Sequence, residues 1–102
     1  MPQADLYYSA DQTLSVRECL ADVEQVISGL DSRAGTTKGR AHRVEDFHHS
    51  HVYLAVSMLP KPDRDAAYAT KVGQALADAL RIRLQQGALL NVSVRFDLAH
   101  YV

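Results

Sequence analysis

The first residue in this chain that could do chemistry is the proline directly after the first methionine. With Met1 removed, Pro2 becomes the N-terminus and carries a secondary amine. An ordinary α-amino group titrates at about 7.7–8.0. Apolar walls and nearby arginines would lower that value, because both disfavour the protonated form. Such an amine is a base at neutral pH. The plainer alternative is a proline that merely begins an edge strand, and on residue pattern alone it is the stronger reading. A second cluster is His48, His49 and His51. His49 and His51 share a strand face by period two, but the remaining histidines, His42 and His100, stand at no zinc-ligand spacing. Solvated turn histidines is the better reading, and no metal is expected. The lone Cys19 falls on the apolar stripe of a helix, which marks a buried structural thiol rather than a nucleophile. The loop from Asp31 to Gly39 carries two glycines but lacks the Gly-x-x-x-x-Gly-Lys-Ser/Thr spacing of a phosphate loop. No Ser-His-Asp or Cys-His arrangement is suggested by residue order.

Size and charge narrow the classes further. At 102 residues the chain can build one domain around one modest core. A formal net charge of -1, with the basic residues dispersed, argues against general attraction to nucleic acid or to anionic membranes. One cysteine allows no internal disulfide and suits a reducing compartment. No secretory signal and no bilayer-spanning apolar run is visible. The expectation is a cytoplasmic protein.

Residues 3–9 alternate, with Ala4, Leu6 and Tyr8 on one side and Asp5, Tyr7 and Ser9 on the other, which predicts a half-buried strand. Residues 11–30 predict a helix whose stripe is Val16, Cys19, Leu20, Val23, Val26, Ile27 and Leu30. Ser15 and Glu18 resemble a capping box there, with Asp11 and Thr13 as competing caps. A second strand is predicted over 40–48. Residues 52–59 are apolar on both faces, so that strand belongs in the middle of a sheet. Pro60 and Pro62 end it, Asp63 is the expected cap of a second helix running to about Gln86, and 91–98 is the last strand. The order is two β-α-β units, 1–48 and 51–102, in a single α+β domain. Right-handed crossovers would give a four-stranded mixed sheet with both helices on one face. The other face, carrying Tyr and Ala side chains, needs a cover, and oligomerisation is the usual one.

A β-α-β duplication that opens Met1-Pro2 resembles the tautomerase superfamily, and most of all its 5-carboxymethyl-2-hydroxymuconate isomerases. The likeness rests on Pro2 before a short strand and on Gly39-Arg40-Ala41-His42-Arg43-Val44 opening the second strand. It continues through His51 to Leu59, Asp63-Arg64-Asp65 at the second helix start, and Asn91 to Leu98 in the closing strand. The resemblance implies a homotrimer whose sheets surround a channel, with active sites near subunit boundaries. It implies Pro2 as proton shuttle, and Arg40 and Arg64 as the arginines that bind substrate, with Arg43 the alternative to Arg40. No cofactor is implied. The reaction would shift a proton in a small unsaturated 2-keto or 2-hydroxy carboxylate, such as a muconate derivative from aromatic catabolism. Such chemistry needs one group to take and return a proton, and positive charge where the oxyanion grows. An arginine in the first turn of a helix can hold a carboxylate bidentately where the dipole already attracts anions. Related sites hydrate, dehalogenate or decarboxylate similar acids. A non-catalytic oligomeric protein that binds a small acid or a partner is the alternative from another class.

Overall fold

The computed structural model describes all residues, 1–102. Six elements follow in order: β1 (Gln3–Ser9), α1 (Val16–Leu30), β2 (Lys38–Val44), β3 (Val52–Ser57), α2 (Ala66–Arg83) and β4 (Leu90–Arg95). They build one four-stranded sheet in the order β2-β1-β3-β4. β1 runs parallel to β2 and β3 parallel to β4, while the central pair β1 and β3 is antiparallel. The duplicated β-α-β architecture read from the residue pattern is the one observed, with β3 inside the sheet as its two apolar faces required.

Even-numbered residues of β1 and β3 face the helices. Ala4, Leu6, Val52, Leu54 and Val56 meet Cys19, Val23 and Ile27 of α1 and Val72, Leu76 and Leu80 of α2 in one buried cluster. Each such leucine or isoleucine contributes about 1.5–3 kcal/mol by leaving water. Cys19 lies in this core. α1 crosses close over β2 at Gly39, where an added Cβ would stand 3.1 Å from the Leu20 side chain.

Several boundaries differ from the pattern, each for a local reason. α1 begins at Val16 rather than near residue 11. The preceding stretch is held elsewhere: the Gln12 amide N–H donates to the Ser9 carbonyl at 2.8 Å, and the Gln12 side chain donates to Ser50 Oγ at 2.8 Å. Ser15 occupies the cap position but its hydroxyl makes no capping bond, and Glu18 accepts from Arg83 at 2.8 Å instead. β2 starts at Lys38, whose N–H donates to the Pro2 carbonyl at 3.0 Å, and ends at Val44, ahead of a turn in which His49 has φ 63°. α2 is capped by Asp65, whose carboxylate accepts from the Tyr68 N–H at 2.9 Å; the expected cap, Asp63, pairs with Arg33 at 2.6 Å. No helix is long and apolar enough to cross a membrane.

The sheet face away from the helices is uncovered. Register assigns it three cross-strand rows: Lys38–Gln3–Ser57–Arg95, then Arg40–Asp5–Ala55–Ser93, then His42–Tyr7–Tyr53–Asn91. Tyr and Ala are there as expected, but most of the face is polar.

Candidate active site

Pro2 is buried immediately before β1. Its end of the sheet gathers the start of β1, the start of β2, the end of β3 and the end of β4, because the central strands are antiparallel. Met1 packs toward the loop after α1, where a Cβ on Gly35 would stand 3.7 Å from its Cγ.

Arg40 lies on the open face at this end. It sits across from Asp5 in the β1–β2 ladder and donates to Asp5 Oδ2 at 3.0 Å and to Gln3 Oε1. Its side chain is 42% exposed, so the guanidinium is held beside the residue that follows Pro2 yet open to solvent. Arg43 is separated from it: the residue pairs with Tyr8 at the far end of β1, on the helix side of the sheet, and bridges Glu45 at 3.0 Å. Of the two candidates for one place, Arg40 is the one brought to Pro2.

Arg64 is at the same end but on the helix side, and its setting differs from the expectation. It precedes the α2 cap rather than lying in the first turn. Its side chain and that of Asp31 are each only 3% exposed and meet at 3.1 Å. A second guanidinium nitrogen donates to the Leu59 carbonyl at 2.6 Å, while Nε is buried without a partner. Tyr68 Oη donates to the same Asp31 oxygen at 2.7 Å, and Arg33 donates to the other oxygen from its backbone at 3.0 Å and from Nε at 3.2 Å. Burial pushes the Asp31 carboxyl up, but the hydrogen bonds from Tyr68, Arg33 and Arg64 outweigh it and hold the group well below the usual carboxylate range. Burial and the bond to Asp31 together raise the Tyr68 phenol.

Residue pattern did not single out Asp31. A signal was present: a carboxylate at the C-terminal end of a helix opposes the dipole and therefore calls for cations around it. Nor did it single out the network on the open face. His42 Nε2 faces Asp5 Oδ1 at 2.8 Å, and its ring stacks on Tyr7 with centroids 4.6 Å apart. Tyr7 stacks in turn near Tyr53 at 6.0 Å, and the Tyr53 hydroxyl meets Ser93 Oγ at 2.7 Å. Burial raises Asp5, but the bonds to His42 and Arg40 prevail and lower it. The chain after β4 returns to this end, where the Tyr101 hydroxyl accepts from Gln3 Nε2. His48, His49 and His51 stand at the opposite end of the sheet, with His51 Nδ1 2.7 Å from the His49 carbonyl.

The arrangement brings together a buried proline, an exposed arginine bonded to its neighbour, and a tail tyrosine, all at one mouth of the sheet.

No family model and no curated protein sequence matches the chain. Solved structures do. A 5-carboxymethyl-2-hydroxymuconate isomerase from Deinococcus radiodurans R1 superposes with a TM-score of 0.68 at 16% identity, over 92% of this chain and 81% of that one. A 5-carboxymethyl-2-hydroxymuconate delta-isomerase gives 0.69 at 17% identity, over 92% and 80%. A fused 4-OT, a symmetric trimer, gives 0.57 at 11% identity, over 91% and 83%. At these identities the likeness is one of fold.

Proposed function

We propose that the chain, which has the fold of the 5-carboxymethyl-2-hydroxymuconate isomerases, is itself an isomerase of the tautomerase kind. Its substrate would be a small unsaturated 2-keto or 2-hydroxy carboxylate. The observation that carries this reading is the pairing of a buried Pro2 at the head of β1 with Arg40, bonded to the adjacent Gln3. With Met1 removed, the Pro2 nitrogen takes a proton from the enol or the α-carbon and returns it further along the conjugated system. Arg40 leaves Asp5 and Gln3 to hold the substrate carboxylate and the oxyanion that grows as the proton leaves. Charge-assisted bonds of that kind are the stronger ones, and their alignment before reaction lowers the barrier.

Arg64 enters in another capacity. Bonded to Asp31 and the Leu59 carbonyl, it fixes the segments on either side of Pro2 and acts as a positioning residue. The free outer edges of β2 and β4 and the trimeric state of the fused 4-OT support a homotrimer here.

The test uses protein whose N-terminal proline is verified by mass, assayed for enol-to-keto conversion of 2-hydroxymuconate. Pro2→Ala is expected to lower kcat/KM by about a hundredfold or more, the range of a general acid–base contribution. Arg40→Ala is expected to cost about tenfold to a hundredfold, as loss of a charged hydrogen bond does. Turnover no faster than that of the Pro2→Ala protein would sink the mechanism. Water addition, halide release or loss of carbon dioxide from a related acid would instead point to a hydratase, dehalogenase or decarboxylase. Binding of acids by a protein that keeps Met1, without turnover, would point to a non-catalytic binder.

A further inference from the structure

Asp5 is the one acid in the three cross-strand rows of the open face. Its two oxygens are divided between two partners. Oδ2 accepts from Arg40 Nη1 at 3.0 Å, and Oδ1 faces His42 Nε2 at 2.8 Å. Its neighbour on β3 is Ala55, which offers no polar side-chain group. Burial raises the Asp5 carboxyl, but the bonds to His42 and Arg40 outweigh it and lower it, which keeps it ionised. An ionised carboxylate only accepts, so His42 Nε2 carries the hydrogen of that bond.

The two partners differ in freedom. The His42 ring lies nearly flat on Tyr7, with centroids 4.6 Å apart and 17° between planes. Arg40 sits on a longer, flexible side chain. Its other acceptors are neutral: the Gln3 amide oxygen and the Lys38 carbonyl at 3.4 Å. Asp5 is therefore the one charged group that an anion must displace to win Arg40. Once Arg40 leaves, Asp5 would face the arriving anion as a second negative charge. His42 stays on Asp5 throughout, so the carboxylate is never without a donor, and an unpaired buried acceptor is the costly state.

We propose that Asp5 and His42 are positioning residues that set how readily Arg40 is released to an anion: Asp5 restrains the guanidinium, and His42 eases that restraint by sharing the carboxylate. This rests on the reading of Arg40 given above, but its test reads binding and needs no turnover.

Binding of hexa-2,4-dienoate to the intact protein is measured by calorimetry, with circular dichroism confirming that each variant is folded. Arg40→Ala is expected to weaken it. Asp5→Asn is expected to tighten it by about threefold to tenfold, and His42→Ala to weaken it by a similar factor, the lower range for a hydrogen bond to a charged group. His42→Gln, whose amide N–H reaches the same carboxylate, is expected to restore most of the loss. In the Asp5→Asn background His42→Ala is expected to have no further effect, because the two residues act through one contact. Absence of binding, or an Arg40→Ala protein that binds as tightly as wild type, would remove the reading of Arg40 and this proposal with it. Weakening by Arg40→Ala combined with unchanged or weaker binding by Asp5→Asn, or a His42→Ala loss of equal size in both backgrounds, would overturn the proposal alone. The expected pattern in a protein that does not isomerise 2-hydroxymuconate would uphold this assignment while the proposed reaction fails.

Discussion

Asp31 is the residue whose replacement should be felt most in stability. It accepts hydrogen bonds from Arg64, Tyr68 and Arg33 at once. Asp31→Asn removes the charge that compensates a buried guanidinium, and such losses cost about 3–5 kcal/mol. Chemical denaturation of the two proteins at pH 7 checks this. The pH dependence has a definite sign. The folded carboxyl titrates below its unfolded value of 3.8, so its stabilisation is complete above about pH 5. It is lost progressively as the pH falls through 4 and below. The unfolding free energy of wild type should therefore drop more steeply from pH 5 to pH 2.5 than that of Asp31→Asn. Parallel slopes would show that Asp31 is not the group whose protonation matters. Little of this was legible beforehand. Pro2 and Arg40 became candidates only through the family resemblance, with Arg43 as the alternative to Arg40, and the network around Asp31 joins residues that lie 2, 33 and 37 positions away. No period or spacing encodes such a meeting; it follows only once the α1–β2 loop packs against the start of α2.

At the scale of elements, the two helices begin differently and should respond differently. Asp65 makes a side-chain capping bond and Ser15 does not. Asp65→Ala is expected to lower stability by about 1 kcal/mol, and Ser15→Ala by little, as read from urea midpoints. Equal effects would mean that the cap geometry does not govern helix entry. The strand and helix order was legible because burial writes itself into period: alternation in β1, three- and four-residue steps in α1, apolar runs in β3. The ends of elements were not. Gln12 and Ser50 bond across the gap between units and hold residues 10–13 out of the helix, a contact between distant positions. Gly39 gives a further check on packing. Gly39→Val would drive Cβ toward Leu20 and is expected to cost about 1–3 kcal/mol as overpacking, seen as a lower thermal midpoint.

For the whole molecule, two facts bear on assembly. The outer edges of β2 and β4 carry no partner strand within the chain, and the face opposite the helices has no cover. Free edges and an open face on one small domain favour closure of several copies into a ring. Sedimentation is expected to give three chains per particle; a monomer at micromolar concentration would remove the trimer from the proposal. That one sheet face lacks helices was legible from two helices and four strands, whereas the polar character of that face came from register. Only pairing puts Arg40 beside Asp5 and His42 beside Tyr7.

The ladder of His42, Tyr7 and Tyr53 makes the protein its own optical probe. The chain has no tryptophan and five tyrosines, so its ultraviolet emission is tyrosine emission. Two of the five, Tyr7 and Tyr53, are stacked on the open face. Tyr68 is hydrogen-bonded to Asp31 and Tyr8 packs against the core, so neither reports on that face. Covering or uncovering the face changes the polarity around that pair. Serial dilution with emission recorded at each step would follow the association of chains without any label.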